Sequence, residues 1–182
     1  SQSLVACGIE VIDLGLSTTP GVEMMLPHLK ANGGIILTAS HNPKEWNALK
    51  LLNSKGEFLS AADGEKILTY AEMEDFEYVD VDSLGKIIHQ PDDAKYHIEQ
   101  ILALPWVNKE AIKKAGFSVV IDAVNSTGGI FIPTLLSALG VTQIHKLYCE
   151  PTGHFPHNPE PLPENLTEIA SKIRSLKADL GI

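Results

Sequence analysis

The segment Gly33–Gly56 constrains the fold more than any other part of the chain, because two strand-like runs enclose a polar loop. Ile35–Thr38 is short, apolar and rich in β-branched side chains, which predicts a strand buried on both faces of a parallel sheet. The run ends at Ala39–Pro43, which places a hydroxyl, an imidazole and an amide in succession after the strand. Open α/β sheets bind ligands at the carboxyl ends of their strands, so we expect a site in this loop, with Ser40 as its first candidate residue.

The residues around this loop predict a βαβ unit. Ile9–Leu14 has the composition of a strand, and apolar residues at helical spacing follow it between positions 22 and 29. Together with Ile35–Thr38 they predict two parallel strands joined by a right-handed helical crossover. The other elements predicted in this half are a turn at Thr18–Gly21, a strand at Ala48–Asn53 and a helix at Ala61–Glu74 capped by Ser60.

The strand and helix pattern begins again at Phe117. Residues 75–93 are acidic and weakly periodic, which we interpret as a connection between domains, and Pro105 divides the helical segment 92–114. The later residues predict a βαβαβ unit, with strands at Ser118–Ile121, Val141–Tyr148 and Asp179–Ile182 and helices at Ile130–Leu139 and Glu164–Ser175. The predicted fold class is therefore α/β, as two consecutive units of mainly parallel strands flanked by helices. The predicted domains are 1–90 and 117–182, joined by a helical segment at 91–116.

Composition narrows the possible partners. The formal net charge is -9, which argues against a nucleic-acid surface because binding polyphosphate requires clustered Lys and Arg side chains. The content of 44% hydrophobic and 20% charged residues is that of a soluble globular protein, and no apolar run approaches the length of a membrane span. Cys7 and Cys149 form no paired motif, so we expect a cytoplasmic protein without a disulfide framework.

Two groups of residues carry a resemblance to a known family. The string TASHNP at 38–43, followed by Asn47 and Lys50, resembles the phosphoserine loop of the α-D-phosphohexomutases, which comprise phosphoglucomutase, phosphomannomutase and phosphoglucosamine mutase. Ala48 stands where this family commonly has glycine. The segments DAVNSTGG and HNPEPLPENL resemble the second domain of the same enzymes, and WNALKLLN is more similar to phosphoglucosamine and phosphomannose mutases than to classical phosphoglucomutases.

The resemblance implies a function and a role for each loop residue. These mutases interconvert hexose 6-phosphate and hexose 1-phosphate, of glucose, mannose or glucosamine, through a phosphoserine and a bisphosphorylated sugar. Ser40 would carry the phosphoryl group, with His41 and Lys50 as further catalytic residues and with Asn42 and Asn47 as substrate-binding residues. Mg²⁺ would bind the phosphate on Ser40 together with aspartates of an Asp-x-Asp-x-Asp-Arg loop that this chain does not contain. We therefore expect a fragment that lacks the later domains of the same protein and is inactive alone.

Other interpretations of these residues stay open. A non-catalytic α/β binding module fits the strand and helix pattern equally well, and only the Ser40 loop separates the two functions. Serine hydrolase chemistry is disfavoured because no G-x-S-x-G sequence is present. His154 and His157 lack a third ligand nearby in sequence, which disfavours a metal pair. Residues Asn125–Thr127 could bind an anion at a helix N-terminus, but a helix cap is favoured, and Asn47 is typical of a turn.

Overall fold

The structure is a computed structural model that describes residues 1–40, 42, 45–74 and 76–182. These residues form two compact units. The first comprises Ser1–Ile36 and Lys50–Asp93, and the second comprises Leu37–Leu49 and Ala94–Ile182. Small sheets with parallel strands are flanked by helices, which confirms the predicted α/β class. Among the described helices, none has both the length and the apolar character that crossing a membrane requires.

The four strands up to residue 89 form two sheets of two strands each. In chain order they are α1 (Gln2–Ala6), β1 (Val11–Asp13), α2 (Thr19–Leu29), β2 (Gly33–Thr38), β3 (Ala48–Asn53), α3 (Ala61–Met73) and β4 (Ile87–His89). β1 pairs with β4 in parallel, and β2 pairs with β3. In the described residues β1 and β2 therefore lie in different sheets, so they do not form the predicted βαβ unit. Ile87 and Ile88 lie beside Val11 and Ile12 instead, an apolar match that the weak periodicity of residues 75–93 hides.

Helix α2 begins where the sequence predicts a turn. The Oγ1 atom of Thr18 accepts a hydrogen bond from the N–H of Gly21 at 3.1 Å, so Thr18 is the N-cap. Pro20 then lies in the first helical turn, where its missing N–H costs no intrahelical bond. The helix buries Met25 and Leu26 and ends at Leu29.

Strand β2 is covered on one face only, which corrects the prediction of burial on both faces. Leu26 of α2 packs against Gly34, since a Cβ atom added to Gly34 would lie 2.9 Å from the Leu26 Cδ1 atom. The alternate side chains are open to solvent, with Ile35 48% and Leu37 73% exposed. β2 is thus half-covered in the described chain, because a strand presents successive side chains to opposite faces and α2 covers only one of them.

Two predicted helix boundaries are confirmed. The hydroxyl oxygen of Ser60 accepts the N–H of Asp63 at 3.2 Å and caps α3. Pro105 lies between α4 (Asp93–Leu102) and α5 (Lys109–Ala115), so the helical segment is divided as expected.

The second unit contains the predicted βαβαβ arrangement. Its elements after α5 are β5 (Ser118–Asp122), α6 (Gly128–Ala138), β6 (Gln143–Leu147), α7 (Thr167–Leu176) and β7 (Leu180–Gly181). All three strands are parallel, in the order β6-β5-β7, and Val119 lies between Ile144 and Leu180. The apolar residues of β5 are buried with Leu136 and Val141, so the central strand and α6 form the core.

Candidate functional site

The loop after β2 presents Ser40 in an unusual backbone conformation. Its φ angle is 56°, in the left-handed region that costs a non-glycine residue roughly 1–2 kcal/mol. The N–H of Ser40 donates to the Oγ1 atom of Thr38 at 2.8 Å, and the N–H of Asn42 donates to the carbonyl oxygen of Ala39 at 3.1 Å. These bonds hold Ser40 as an exposed residue two positions beyond the end of β2. Such strain occurs preferentially at functional sites.

The other predicted loop residues have different outcomes. Asn42 and Asn47 are exposed, and Asn47 directly precedes β3. His41 lies outside the described residues, so its catalytic role stays a prediction. The substrate-binding roles of the two asparagines also stay predictions.

Lys50 lies on β3 and is half-buried. Its Nζ atom is 5.8 Å from the centre of the Phe58 ring, which places a positive charge over an aromatic face. Lys50 belongs to the first unit and Ser40 to the second, so their pairing at one site stays a prediction.

A crevice lies at the carboxyl ends of β5 and β6. From β5 the chain crosses to β6 on one side of it, and from β6 it crosses back to β7 on the other side. Because these two crossovers run in opposite directions and each is right-handed, α6 and α7 lie on opposite faces of the sheet. Ligands bind at such switch points in α/β sheets. A pocket of about 440 Å³ occurs here, and its lining residues are Asn125, Lys146, Tyr148, Cys149 and Glu150.

A histidine and a carboxylate pair beside this crevice. The Nε2 atom of His157 is 2.9 Å from the Oδ2 atom of Asp122, and the exposed fractions of the two side chains are 22% and 5%. The other carboxylate oxygen accepts the N–H of Val124 at 3.1 Å. On the opposite side of the imidazole ring, Nδ1 is 2.9 Å from the carbonyl oxygen of Asn158. Asp122 is not among the candidate residues predicted from sequence, although a carboxylate directly after an apolar strand is a recognisable signal.

The two histidines of the nearby loop have different hydrogen-bond partners. His157 binds Asp122, and the described residues contain no group of three or more His, Cys, Asp or Glu side chains that could hold a metal ion. His154 instead offers its carbonyl oxygen, which accepts a hydrogen bond from Asn125 Nδ2 at 3.0 Å. Thr127 is the N-cap residue of α6, as the favoured helix cap predicts, but its side chain makes no cap hydrogen bond. This hydrogen bond connects the loop to the residues that follow the central strand β5.

Two groups at the crevice have altered acidity. The hydroxyl of Tyr148 donates to Glu168 at 2.8 Å, and this bond to a carboxylate raises the pKa of Tyr148. Burial raises the pKa of the Cys149 thiol, and the positive charge of Lys146 offsets this only in part. Cys149 also donates to the carbonyl oxygen of Leu147 at 3.3 Å. Both groups are therefore held in their neutral, hydrogen-donating forms.

The two units define an α/β protein in which helices flank small sheets with parallel strands. Residues 1–78 match the family model of phosphoglucomutase/phosphomannomutase α/β/α domain I, and residues 95–182 match that of domain II. The chain belongs to the phosphoglucomutase/phosphomannomutase family. The resemblance inferred from TASHNP is confirmed.

Individual relatives agree with this membership. A phosphoglucomutase/phosphomannomutase of Thermococcus kodakarensis is 37% identical over 182 residues, which are 100% of this chain and 39% of the relative. A Methanopyrus kandleri protein assigned as a phosphoglucosamine mutase is 32% identical over 100% of this chain and 39% of the relative. A Thermus thermophilus crystal structure assigned as a phosphomannomutase superposes with a TM-score of 0.78 at 25% identity, covering 95% of this chain and 38% of the other. The chain thus spans about two fifths of the length of its relatives.

Proposed function

We propose that this chain is part of an intramolecular phosphotransferase that interconverts hexose 6-phosphate and hexose 1-phosphate. The substrate is a phosphate of glucosamine, mannose or glucose, and Ser40 carries the transferred phosphoryl group. Membership of the mutase family supports the reaction class. The proposal further includes a cytoplasmic protein that acts on a phosphorylated hexose and binds neither nucleic acid nor membranes.

The observation that carries the proposal is the placement of Ser40. An exposed hydroxyl-bearing residue lies just beyond the carboxyl end of a strand, in a left-handed conformation held by the bond to Thr38. A serine that serves only as a turn residue has no need of this strained backbone, because glycine or asparagine adopts it at lower cost. The strain is consistent with a hydroxyl that must project toward a ligand.

The chemistry requires a carrier that can both donate and recover a phosphoryl group. The bond between phosphorus and the Ser40 oxygen breaks as a free hydroxyl of the hexose monophosphate forms a new bond to phosphorus, which yields a hexose bisphosphate. The Ser40 oxygen then attacks the other phosphate of that bisphosphate, and the isomeric monophosphate leaves. Each transfer moves one proton from the attacking hydroxyl to the departing oxygen. In this proposal Lys50 neutralises charge on the phosphoryl oxygens, and His41 contacts the phosphate or assists proton transfer.

Magnesium is part of the proposal, but the residues that the structure describes do not form a site for it by themselves. The described residues include no cluster of three or more potential His, Cys, Asp or Glu ligands, so a phosphate on Ser40 would be the contribution of this chain. A divalent cation would supply charge neutralisation at the phosphoryl oxygens. We accordingly expect the 182-residue chain to be inactive by itself. Turnover of hexose phosphates by the purified chain above a Ser40→Ala control would contradict that expectation.

The decisive test locates the phosphate in the longer protein that carries this chain. Intact-mass measurement and peptide mapping should find one phosphate on Ser40, and Ser40→Ala should abolish both the phosphate and nearly all turnover. Loss of one exposed hydroxyl leaves no core cavity, so the free energy of unfolding should change by less than about 1 kcal/mol. Ser54→Ala is the matched control, because Ser54 is another exposed serine, located in the turn after β3.

The outcomes separate the proposed function from its alternatives. Ser54→Ala should retain the phosphate and normal turnover. Near-normal turnover by Ser40→Ala, or stoichiometric phosphate on a different residue, would overturn the proposed role. Binding of hexose phosphates without turnover or phosphate on any residue would support the non-catalytic binding module instead.

A further inference from the structure

The environment of the His157 ring allows only one protonation state to satisfy all its neighbours. Nε2 lies 2.9 Å from a carboxylate oxygen of Asp122, and Nδ1 lies 2.9 Å from the carbonyl oxygen of Asn158. A carboxylate and a carbonyl can only accept hydrogen bonds, so both ring nitrogens must donate. A neutral imidazole has a single N–H, whereas the imidazolium has two. The geometry therefore matches the charged form of His157.

The pair joins two separate parts of the second unit. Asp122 is the last residue of β5, whereas His157 lies in a segment that runs from residue 150 to residue 162 between β6 and the helical residues before α7, here called the Pro-rich loop. The two residues are 35 positions apart in sequence. A second bond, from the Asn125 amide to the carbonyl of His154, fastens the same loop to the same strand end.

We propose that the Asp122–His157 pair is a pH-sensitive latch that holds the Pro-rich loop against the carboxyl end of β5 and opens when His157 loses its proton. Loss of the proton leaves one of the two acceptors without a donor, and the attraction between the two charges disappears. A neutral His157 with its N–H on Nε2 still donates to Asp122 but without the charge attraction, and one with its N–H on Nδ1 leaves the carboxylate without this donor. Both tautomers therefore hold the loop more weakly than the imidazolium does. The latch does not depend on the proposed phosphoryl transfer.

Charged groups of neighbouring elements support the same direction. Burial lowers the pKa of His157, but the hydrogen bonds to the Asn158 carbonyl and to Asp122, with the negative charges of Asp122 and Glu168, outweigh it and raise the pKa overall. Glu168 lies in the first turn of α7 and accepts from Tyr148, whose ring meets the His157 ring edge-on with centroids 6.0 Å apart. The stabilisation from a raised histidine pKa is complete below the ordinary value. It is lost as the pH rises through the folded-state pKa.

Opening of the latch has a local consequence at the crevice. Asn125 and Tyr148 line the pocket, and both contact the latched loop, through the His154 carbonyl and the His157 ring respectively. When the loop moves away, Asn125 loses its hydrogen bond to the His154 carbonyl and Tyr148 loses its contact with the His157 ring. The pocket should therefore be well formed at low pH and loosened at high pH.

The first measurement titrates the histidines of the 182-residue chain by NMR, following the imidazole Cε1–H signals from about pH 5 to about pH 9. We expect the midpoint of His157 to lie above about 6.5, the ordinary value for histidine. Asp122→Asn should bring the His157 midpoint down. A wild-type His157 midpoint at or below the ordinary value would overturn the latch, and this result requires no variant.

The second measurement follows loop opening by hydrogen exchange. Protection factors across residues 150–162, corrected for the intrinsic pH dependence of exchange, should fall severalfold as the pH passes the His157 midpoint. His157→Gln should show the low protection at every pH, while the matched variant His154→Gln should keep the pH dependence. Unchanged protection in the wild-type loop across the titration, or equal loss in both variants, would mean that His157 does not hold the loop.

Discussion

The α-carbon of Gly56 lies directly against the backbone carbonyl of Glu23 in helix α2. A Cβ atom added at residue 56 would overlap the Glu23 oxygen, and Gly56 also has a φ angle of +82°. Gly56→Ala should therefore lower the free energy of unfolding of the first unit by about 2 kcal/mol or more, through both backbone strain and displacement of α2. Urea denaturation measures this change.

Gly15→Ala provides the control that separates strain from overlap. Gly15 has a similar φ angle of +68°, but a Cβ atom there would meet nothing within 4 Å. Its substitution should cost only the backbone term, about 1 kcal/mol. Equal losses in the two variants would show that the contact with Glu23 carries no energetic weight.

A second prediction concerns the buried carboxylate at the start of α4. Asp93 is 4% exposed, and the hydroxyl of Ser17 donates a hydrogen bond to it. Ser17→Ala removes this donor while leaving the carboxylate buried, so it should cost about 1–3 kcal/mol. Ser3→Ala, at an exposed position of α1, should change stability by less than about 0.5 kcal/mol. A Ser17→Ala loss no larger than that of the control would refute the role of the bond.

The third prediction tests the support of Ser40 by its neighbour. Thr38→Val keeps the shape of the side chain but removes the oxygen that accepts the N–H of Ser40. In the longer protein, turnover should fall because Ser40, the proposed phosphoryl carrier, is less well positioned, while stability changes by about 1 kcal/mol. Thr69→Val, which removes a hydroxyl bonded to the Glu65 carbonyl within α3, should leave turnover unchanged. Steady-state kinetics with both variants decide whether the Thr38 bond matters.

The fourth prediction concerns the proposed electrostatic role of Lys50. Lys50→Met keeps the length and most of the apolar contact with Phe58 but removes the charge. Turnover by the longer protein should drop by about 100-fold, as when one preorganised electrostatic donor is lost, and less than in Ser40→Ala. Lys55→Met, at an exposed turn position, is the control and should retain full turnover. Equal losses of turnover in Lys50→Met and Lys55→Met would contradict the proposed role of Lys50.

The fifth prediction concerns the relative stability of the two units. Burial indicates that the second unit is the more stable one, because it contains most of the buried hydrophobic side chains among the described residues. The first unit contains only Met25, Leu26 and Leu52 of this set. Hydrogen exchange should therefore show greater protection in β5 than in β1 or β2. Faster exchange in β5 than in β1 and β2 would contradict this prediction.

Local patterns made much of the fold predictable. The apolar run that stops at Ala39, the cap at Ser60 and the break at Pro105 each involve residues close together in sequence, so composition and spacing identify them. Strand β4 was missed because three residues are too few to display a period. The pairing of β1 with β4 rather than β2 depends on contacts across more than 70 positions, which no local pattern contains.

The candidate sites were predictable to different degrees. Ser40 is a candidate from sequence because its motif is contiguous, but its left-handed conformation is not predictable, since serine rarely adopts it. The contact between Asp122 and His157 was not predicted at all. It depends on the path of a loop with several prolines, and a loop path follows from tertiary packing rather than from periodicity.

Each unit carries one cysteine, and both cysteine side chains are half-buried. The Cys149 thiol is bonded to the Leu147 carbonyl and burial raises its pKa, so it should react slowly with an alkylating reagent while the second unit is folded. Cys7, the chain's other cysteine, lies at the end of α1 in the first unit. Pulsed alkylation followed by mass spectrometry can therefore record the opening of each unit separately in one unmodified sample, and show whether they open together.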